Sequence, residues 1–97
     1  MEQTLASAAS TNGYVLTDRG TWLHFHDRGE LKIVVEDDPR LFNQYAVMLV
    51  NPARYPQIKA QMGMAFIDWL TSPTGQAKIA SYKVDNEQLF FPDYVKP

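Results

Sequence analysis

The sequence predicts a small α/β fold, with three to four helices around a short mixed sheet in a single domain spanning residues 1–97. Three observations carry this. Apolar residues recur at helical spacing over 57–70, with Ile58, Met62, Ala65, Phe66, Trp69 and Leu70 forming one broad stripe. Ser72-Pro73 is a helix start, with serine as N-cap and proline where its missing N–H costs nothing. Two mostly apolar, β-favouring runs, 31–35 and 45–50, precede these helices and read as strands.

Taken in order, residues 2–12 are good helix formers and end at Asn12-Gly13, a dipeptide suited to a left-handed C-cap. Tyr14-Val-Leu16 reads as a short strand, and Thr17-Asp18 as the N-cap and first residue of a short helix over 18–25. Asp27-Arg-Gly-Glu30 is a turn leading into the strand 31–35, and 36–40 is a polar loop. The run 45–50 lacks polar alternation, which predicts burial on both faces, and Asn51-Pro52 stops it. The helix begun at Ser72-Pro73 extends to about Tyr82. The last segment, Gln88-Leu-Phe-Phe-Pro92, is too apolar to lie free in solvent and is expected to pack across the helices as an extended ribbon. No repeat, low-complexity tract or linker marks a second domain.

Composition narrows the function. Of 97 residues, 45% are hydrophobic and 21% charged, which is a globular balance. The formal charge of −2 and the lack of a Lys/Arg run argue against a nucleic-acid partner, because phosphate neutralisation needs a basic face. With no cysteine there is no disulfide, thiol nucleophile or thiolate-bound zinc. No stretch has the roughly 20 apolar residues of a membrane span, so no membrane insertion is expected. Met1-Glu-Gln-Thr-Leu5 has no basic region or apolar core, so any secretion signal is expected outside this sequence.

Several clusters invite a chemical reading. His24 and His26 flank Phe25 beside Asp27 and Glu30, but on a helix residues two apart point to nearly opposite sides, so a shared metal is not expected. A hydrolase built on either histidine with Ser72 or Ser81 lacks the glycine-flanked serine elbow. Glu36-Asp37-Asp38 lacks the alternating ligands and glycine of a calcium loop, and Pro39 interrupts it. Tyr14-Val-Leu-Thr-Asp-Arg-Gly-Thr21 is more suggestive. It brings two hydroxyl donors and a guanidinium to a helix N-terminus, where free N–H groups favour anions. The competing reading makes Thr17 a simple cap and pairs Arg19 with Asp18 or another acid.

These residues also carry a family resemblance. Gln3-Thr-Leu5, Tyr14-Val-Leu-Thr-Asp-Arg-Gly-Thr-Trp22, Ile33-Val-Val-Glu-Asp-Asp-Pro39, Leu41-Phe-Asn43, Val50-Asn-Pro52, Phe66-Ile-Asp-Trp-Leu-Thr-Ser-Pro73 and Gln88-Leu-Phe-Phe-Pro-Asp93 resemble, in order, the C-terminal part of tungstate-binding proteins of ABC transporters. The serine-proline helix start is widespread among solute-binding proteins; Leu16-Thr-Asp-Arg-Gly-Thr21 with Leu89-Phe-Phe-Pro92 is more specific. His24-Phe-His26 departs from the pattern, in which a lysine more often lies near the second histidine.

The resemblance implies a partial type II periplasmic-binding-protein fold. In that fold two α/β lobes close around a tetrahedral oxyanion by hinge motion and deliver it to a permease. It further implies a periplasmic or extracytoplasmic location, no enzymatic activity and no cofactor. Thr17, Asp18, Arg19, Gln3 and Thr4 would lie near the cleft wall. The family's main anion determinants, a hydroxyl-rich motif and an arginine followed by Ser-Gly-Thr, match no residue here and are expected before Met1. The alternative is a non-catalytic sensor or protein-interaction module derived from one lobe.

Overall fold

The computed structural model describes all residues, 1–97. Its elements are helices α1 (Glu2–Thr11), α2 (Arg19–His24), α3 (Ala60–Leu70) and α4 (Pro73–Ser81), a 3-10 turn at Pro39–Leu41, and strands β1 (Lys83–Val84) and β2 (Glu87–Gln88). The α/β class therefore holds, with four helices. The sheet is a single antiparallel hairpin, with Lys83 opposite Gln88 and Val84 opposite Glu87. Its two-residue loop, Asp85-Asn86, has positive φ at both positions (51° and 65°), the geometry that matches strand twist in a tight hairpin. The chain divides into two compact units, Met1–Gln44 with Lys83–Leu89, and Tyr45–Tyr82 with Phe90–Pro97.

The first unit holds the buried apolar core: Leu5 and Ala8 of α1, Leu23 of α2, and Phe25 and Leu89. Helix α1 ends as its sequence requires. Asn12 adopts the left-handed conformation (φ 54°), and the Asn12 and Gly13 amides both donate to the Ala8 carbonyl. At the end of α2, Arg28 acts as a clamp. Its guanidinium donates to the carbonyls of Phe25 and Trp22 at 2.7 Å each and lies 4.1 Å from the Trp22 ring centroid. It thus satisfies helix-end carbonyls while stacking on an aromatic face.

The second unit is built on the α3–α4 pair. Ser72 caps α4, accepting from the Gly75 amide at 3.1 Å while its hydroxyl donates to the Trp69 carbonyl at 2.5 Å. Gly75 is buried because a side chain there has no room: a Cβ would sit 2.9 Å from the Leu70 Cα and carbonyl oxygen, and nearer still to the Trp69 carbonyl. Gln76 ties the pair further, donating to the Leu70 carbonyl and accepting from the Tyr94 amide. The tail accordingly runs beside α4, and Phe90 meets Tyr45 edge-on with ring centroids 5.4 Å apart.

Five expectations are corrected. The runs 14–16, 31–35 and 45–50 pair with no strand, and most of their side chains are exposed. Their β-branched residues fit a sheet, but no neighbouring edge is present to receive their backbone groups. The expected burial of 45–50 on both faces fails for the same reason. Helix α3 begins at Ala60 instead of residue 57, because residues 56–58 are taken up by a turn in which the Ile58 amide donates to the Tyr55 carbonyl.

Candidate functional site

The segment 17–21 begins with a hydroxyl, a carboxylate and a guanidinium in succession. Sequence alone assigned the cap to Thr17, but the structure gives it to Asp18. Its carboxylate accepts from the Thr21 amide at 3.1 Å and from the Thr21 hydroxyl at 2.5 Å. That side-chain hydrogen bond, ahead of partial burial, which opposes it, holds the Asp18 carboxyl below its ordinary value. The carboxylate is thereby turned toward its own helix.

Displacing Thr17 from the capping role leaves a distinctive group. Its Oγ1 is fully buried and has no hydrogen-bond partner, the only buried side-chain polar atom in the chain of which this is true. Such a hydroxyl is unfavourable as it stands and offers both a donor and acceptor capacity.

Arg19 is engaged within its own unit. Its Nε donates to the Gln88 carbonyl at 2.8 Å, and a terminal nitrogen lies 3.8 Å from the Glu36 carboxylate. The guanidinium therefore anchors the hairpin to the start of α2. Gln3 and Thr4 lie exposed on the first turn of α1. A shallow open hollow beside them is bordered by Met1, Glu2, Gly20, Thr21 and His24, so the beginnings of α1 and α2 are neighbours. Glu2 makes the hollow itself unfavourable for an anion.

The remaining clusters have local duties. His24 Nδ1 lies 2.9 Å from the Gly20 carbonyl, and His26 Nε2 lies 2.9 Å from the Asp85 carboxylate, so the two imidazoles engage separate partners. Asp38 caps the 3-10 turn and forms a bidentate pair with Arg40, at 3.0 and 2.7 Å, which depresses the Asp38 carboxyl. No group of three or more His, Cys, Asp or Glu side chains is arranged to hold a metal ion. No helix is long and apolar enough to cross a membrane.

The family model described as a PBP superfamily domain matches residues 2–74. A provisionally named ABC transporter anion-binding protein of Haloferax volcanii is 41% identical over 96% of this chain and 29% of its own length. Tungstate-binding proteins of Peptoclostridium acidaminophilum and Campylobacter jejuni are 37% and 36% identical, over 99% and 89% of this chain and 34% of their own lengths. The chain thus spans about a third of the length of the curated relatives it matches. No solved structure matches it.

Proposed function

Because the chain belongs to the PBP superfamily domain family, we propose that it is the C-terminal part of a two-lobed solute-binding protein, serving there as one domain, that captures tungstate or a related tetrahedral oxyanion for an ABC transporter. The observation that carries this is identity of 36–41% along nearly all of the chain to proteins named for anion or tungstate binding. The partners are the oxyanion and a membrane permease, the location is periplasmic or extracytoplasmic, and the mechanism is lobe closure without catalysis or a cofactor.

The chemistry of the segment around α2 supports an accept-only anion. Tungstate, molybdate and sulfate are fully deprotonated near neutral pH and need donors, whereas hydrogen phosphate also donates and favours a carboxylate partner. Thr17 offers a hydroxyl without a protein partner, and the Asp18 carboxylate is occupied by Thr21. In this reading Thr17 becomes the direct contact once its buried Oγ1 turns out to the ligand, with Asp18 and Arg19 fixing its surroundings and Gln3 and Thr4 contributing further donors from α1. Arg19 Nε already serves Gln88 and a terminal nitrogen faces Glu36, so in this reading much of the positive charge that balances a dianion comes from elsewhere in the receptor.

Calorimetric titration tests the reading. Tungstate added to these 97 residues alone produces weak heat or none, while the complete receptor binds it with one-to-one stoichiometry and in preference to phosphate. Tight stoichiometric binding by the chain alone would overturn the division of the site, and preference for phosphate would overturn the ligand class.

A further inference from the structure

Among the asparagines, Asn12 alone is followed by a residue without a side chain. Asn43 precedes Gln44, and Asn86 precedes Glu87, which is paired with Val84 in the hairpin. Asn51 precedes Pro52, whose nitrogen carries no proton to give up. Asn12 and Gly13 are both exposed. Beyond the chain neighbours, a Cβ built on Gly13 would meet the Thr11 hydroxyl at 3.4 Å and the Ala8 Cα at 4.0 Å, which is ordinary contact, so the approach to the Gly13 nitrogen is open. That hydroxyl is itself turned back to the Ser7 carbonyl at 2.8 Å. What restrains the pair is the left-handed cap, in which the Asn12 and Gly13 amides both donate to the Ala8 carbonyl, the Gly13 bond at 3.0 Å.

We infer that Asn12-Gly13 is a site of spontaneous deamidation, gated by the C-terminal cap of α1. The Gly13 nitrogen forms a bond to the Asn12 Cγ, the Cγ–Nδ2 bond breaks, and Nδ2 leaves as ammonia with the proton that the Gly13 nitrogen gives up. Water then opens the cyclic imide. Cleavage at Cγ leaves aspartate, and cleavage at the main-chain carbonyl carbon leaves isoaspartate, whose backbone runs through Cγ. Water is the only co-reactant, and nothing is oxidised or reduced. In the folded cap the Gly13 N–H is directed at the Ala8 carbonyl and away from the Asn12 side chain, so the ring closes only when the last turn of α1 opens. Helix ends open at low cost, and the cap therefore slows the reaction without stopping it. Both products then weaken the cap that restrained them. A carboxylate at position 12 stands at the negative end of the helix dipole, and the last turn of α1 has no basic residue to offset it. Isoaspartate lengthens the backbone between the two amides, which then no longer reach one carbonyl together. Because α1 supplies Leu5 and Ala8 to the core, the damage reaches the packing of the first unit.

The test incubates the 97-residue chain in mildly alkaline buffer and follows it by anion exchange, which resolves one added negative charge on a protein of formal charge −2. Peptide mapping by mass spectrometry places the change and tells aspartate from isoaspartate. Conversion is expected at Asn12, at least about tenfold faster than at Asn43 or Asn86. Gly13→Ala, which the open space around Gly13 accommodates, should slow it at least about tenfold, since a side chain then crowds the attacking nitrogen. The same comparison made in urea gives the same ratio and does not depend on the variant folding. The parent chain in urea, its cap gone, should convert at least about tenfold faster than the folded chain. The separated acidic form should show an unfolded-to-folded ratio raised about fivefold. No conversion at Asn12, or conversion indifferent to Gly13→Ala, overturns the site. Equal rates in the folded and urea-unfolded chain overturn the gating by the cap, and an acidic form as stable as its parent overturns the coupling to α1.

Discussion

Two glycines in neighbouring elements make a controlled comparison, because the same substitution meets backbone at one and a flexible side chain at the other. At Gly75 an added Cβ would run into the Trp69 carbonyl and lie 2.9 Å from Leu70 backbone atoms, none of which can rotate away. Helix α4 would have to recoil from the end of α3. That recoil stretches the Ser72 cap, worth about 1 kcal/mol, and the bond from Gln76 to the Leu70 carbonyl, worth about the same. Overpacking contributes about 1–3 kcal/mol more, while alanine's better helix propensity returns at most about 1 kcal/mol. Gly75→Ala is therefore expected to destabilise by about 2–5 kcal/mol, a large share of a small domain's stability.

At Gly63 the obstacle is the Leu49 Cδ1, the tip of a side chain that can change rotamer, so propensity offsets most of the cost and Gly63→Ala stays within about 1 kcal/mol of the parent. Urea titration followed at 222 nm measures both, with an unchanged slope showing that the denatured state is not involved. If Gly75→Ala unfolds at the parent's midpoint or above, or the two variants lose equal stability, the α3–α4 junction is not packed as described.

Four further outcomes follow from the sites described. Asp18 has a folded-state value below its ordinary 3.8, so its contribution is fully present above that pH and is lost as pH falls through the lower folded value. Asp18→Asn should flatten the acid limb of the stability profile, and an unchanged limb would sink the assignment. Ser72→Ala removes the acceptor for the Gly75 amide and the donor to Trp69, costing about 1–2 kcal/mol in the same urea assay. Thr17→Val removes the partnerless hydroxyl at nearly constant shape; the isolated chain should hold its stability or gain up to about 2 kcal/mol, while the complete receptor loses tungstate affinity. A stability loss would mean the hydroxyl is already satisfied. Replacing His26 by Ala breaks only an exposed pair with Asp85 and should cost less than about 1 kcal/mol, with no effect on ligand binding.

The features that sequence made legible are those decided within a few residues. The left-handed cap at Asn12 and the Ser72-Pro73 start of α4 were readable because the capping groups lie within four positions of what they cap. The runs 31–35 and 45–50 were misread as strands because pairing is a property of two segments, and composition describes one. The hairpin 83–88 was missed for the converse reason. Its strands are two residues each and carry no apolar alternation, leaving Asp85-Asn86, a pair that tolerates positive φ, as the only signal. At the candidate site, adjacency hid the answer: hydroxyl and carboxylate stand side by side at 17 and 18, and the carboxylate wins the cap by accepting from both the amide and the hydroxyl of Thr21. The bond from Arg19 to the Gln88 carbonyl spans 69 positions and has no local signature.

Those two outcomes have a joint consequence for how an anion would be held. In the proposed site the Nε of Arg19 is committed to the Gln88 carbonyl, so an anion meeting this guanidinium would share it with the hairpin. The observed arrangement separates the duties. Arg19 secures the local backbone, Asp18 fixes the first turn of α2, and the hydroxyl of Thr17 is left without a protein partner beside them. In the proposed site a neutral hydroxyl held in a preorganised frame adds direction at little electrostatic cost, and the attraction itself comes from cations and N–H groups elsewhere in the receptor. Under the proposed reading, ligand binding depends on both walls meeting, and that dependence would let an anion stabilise a closed state over an open one.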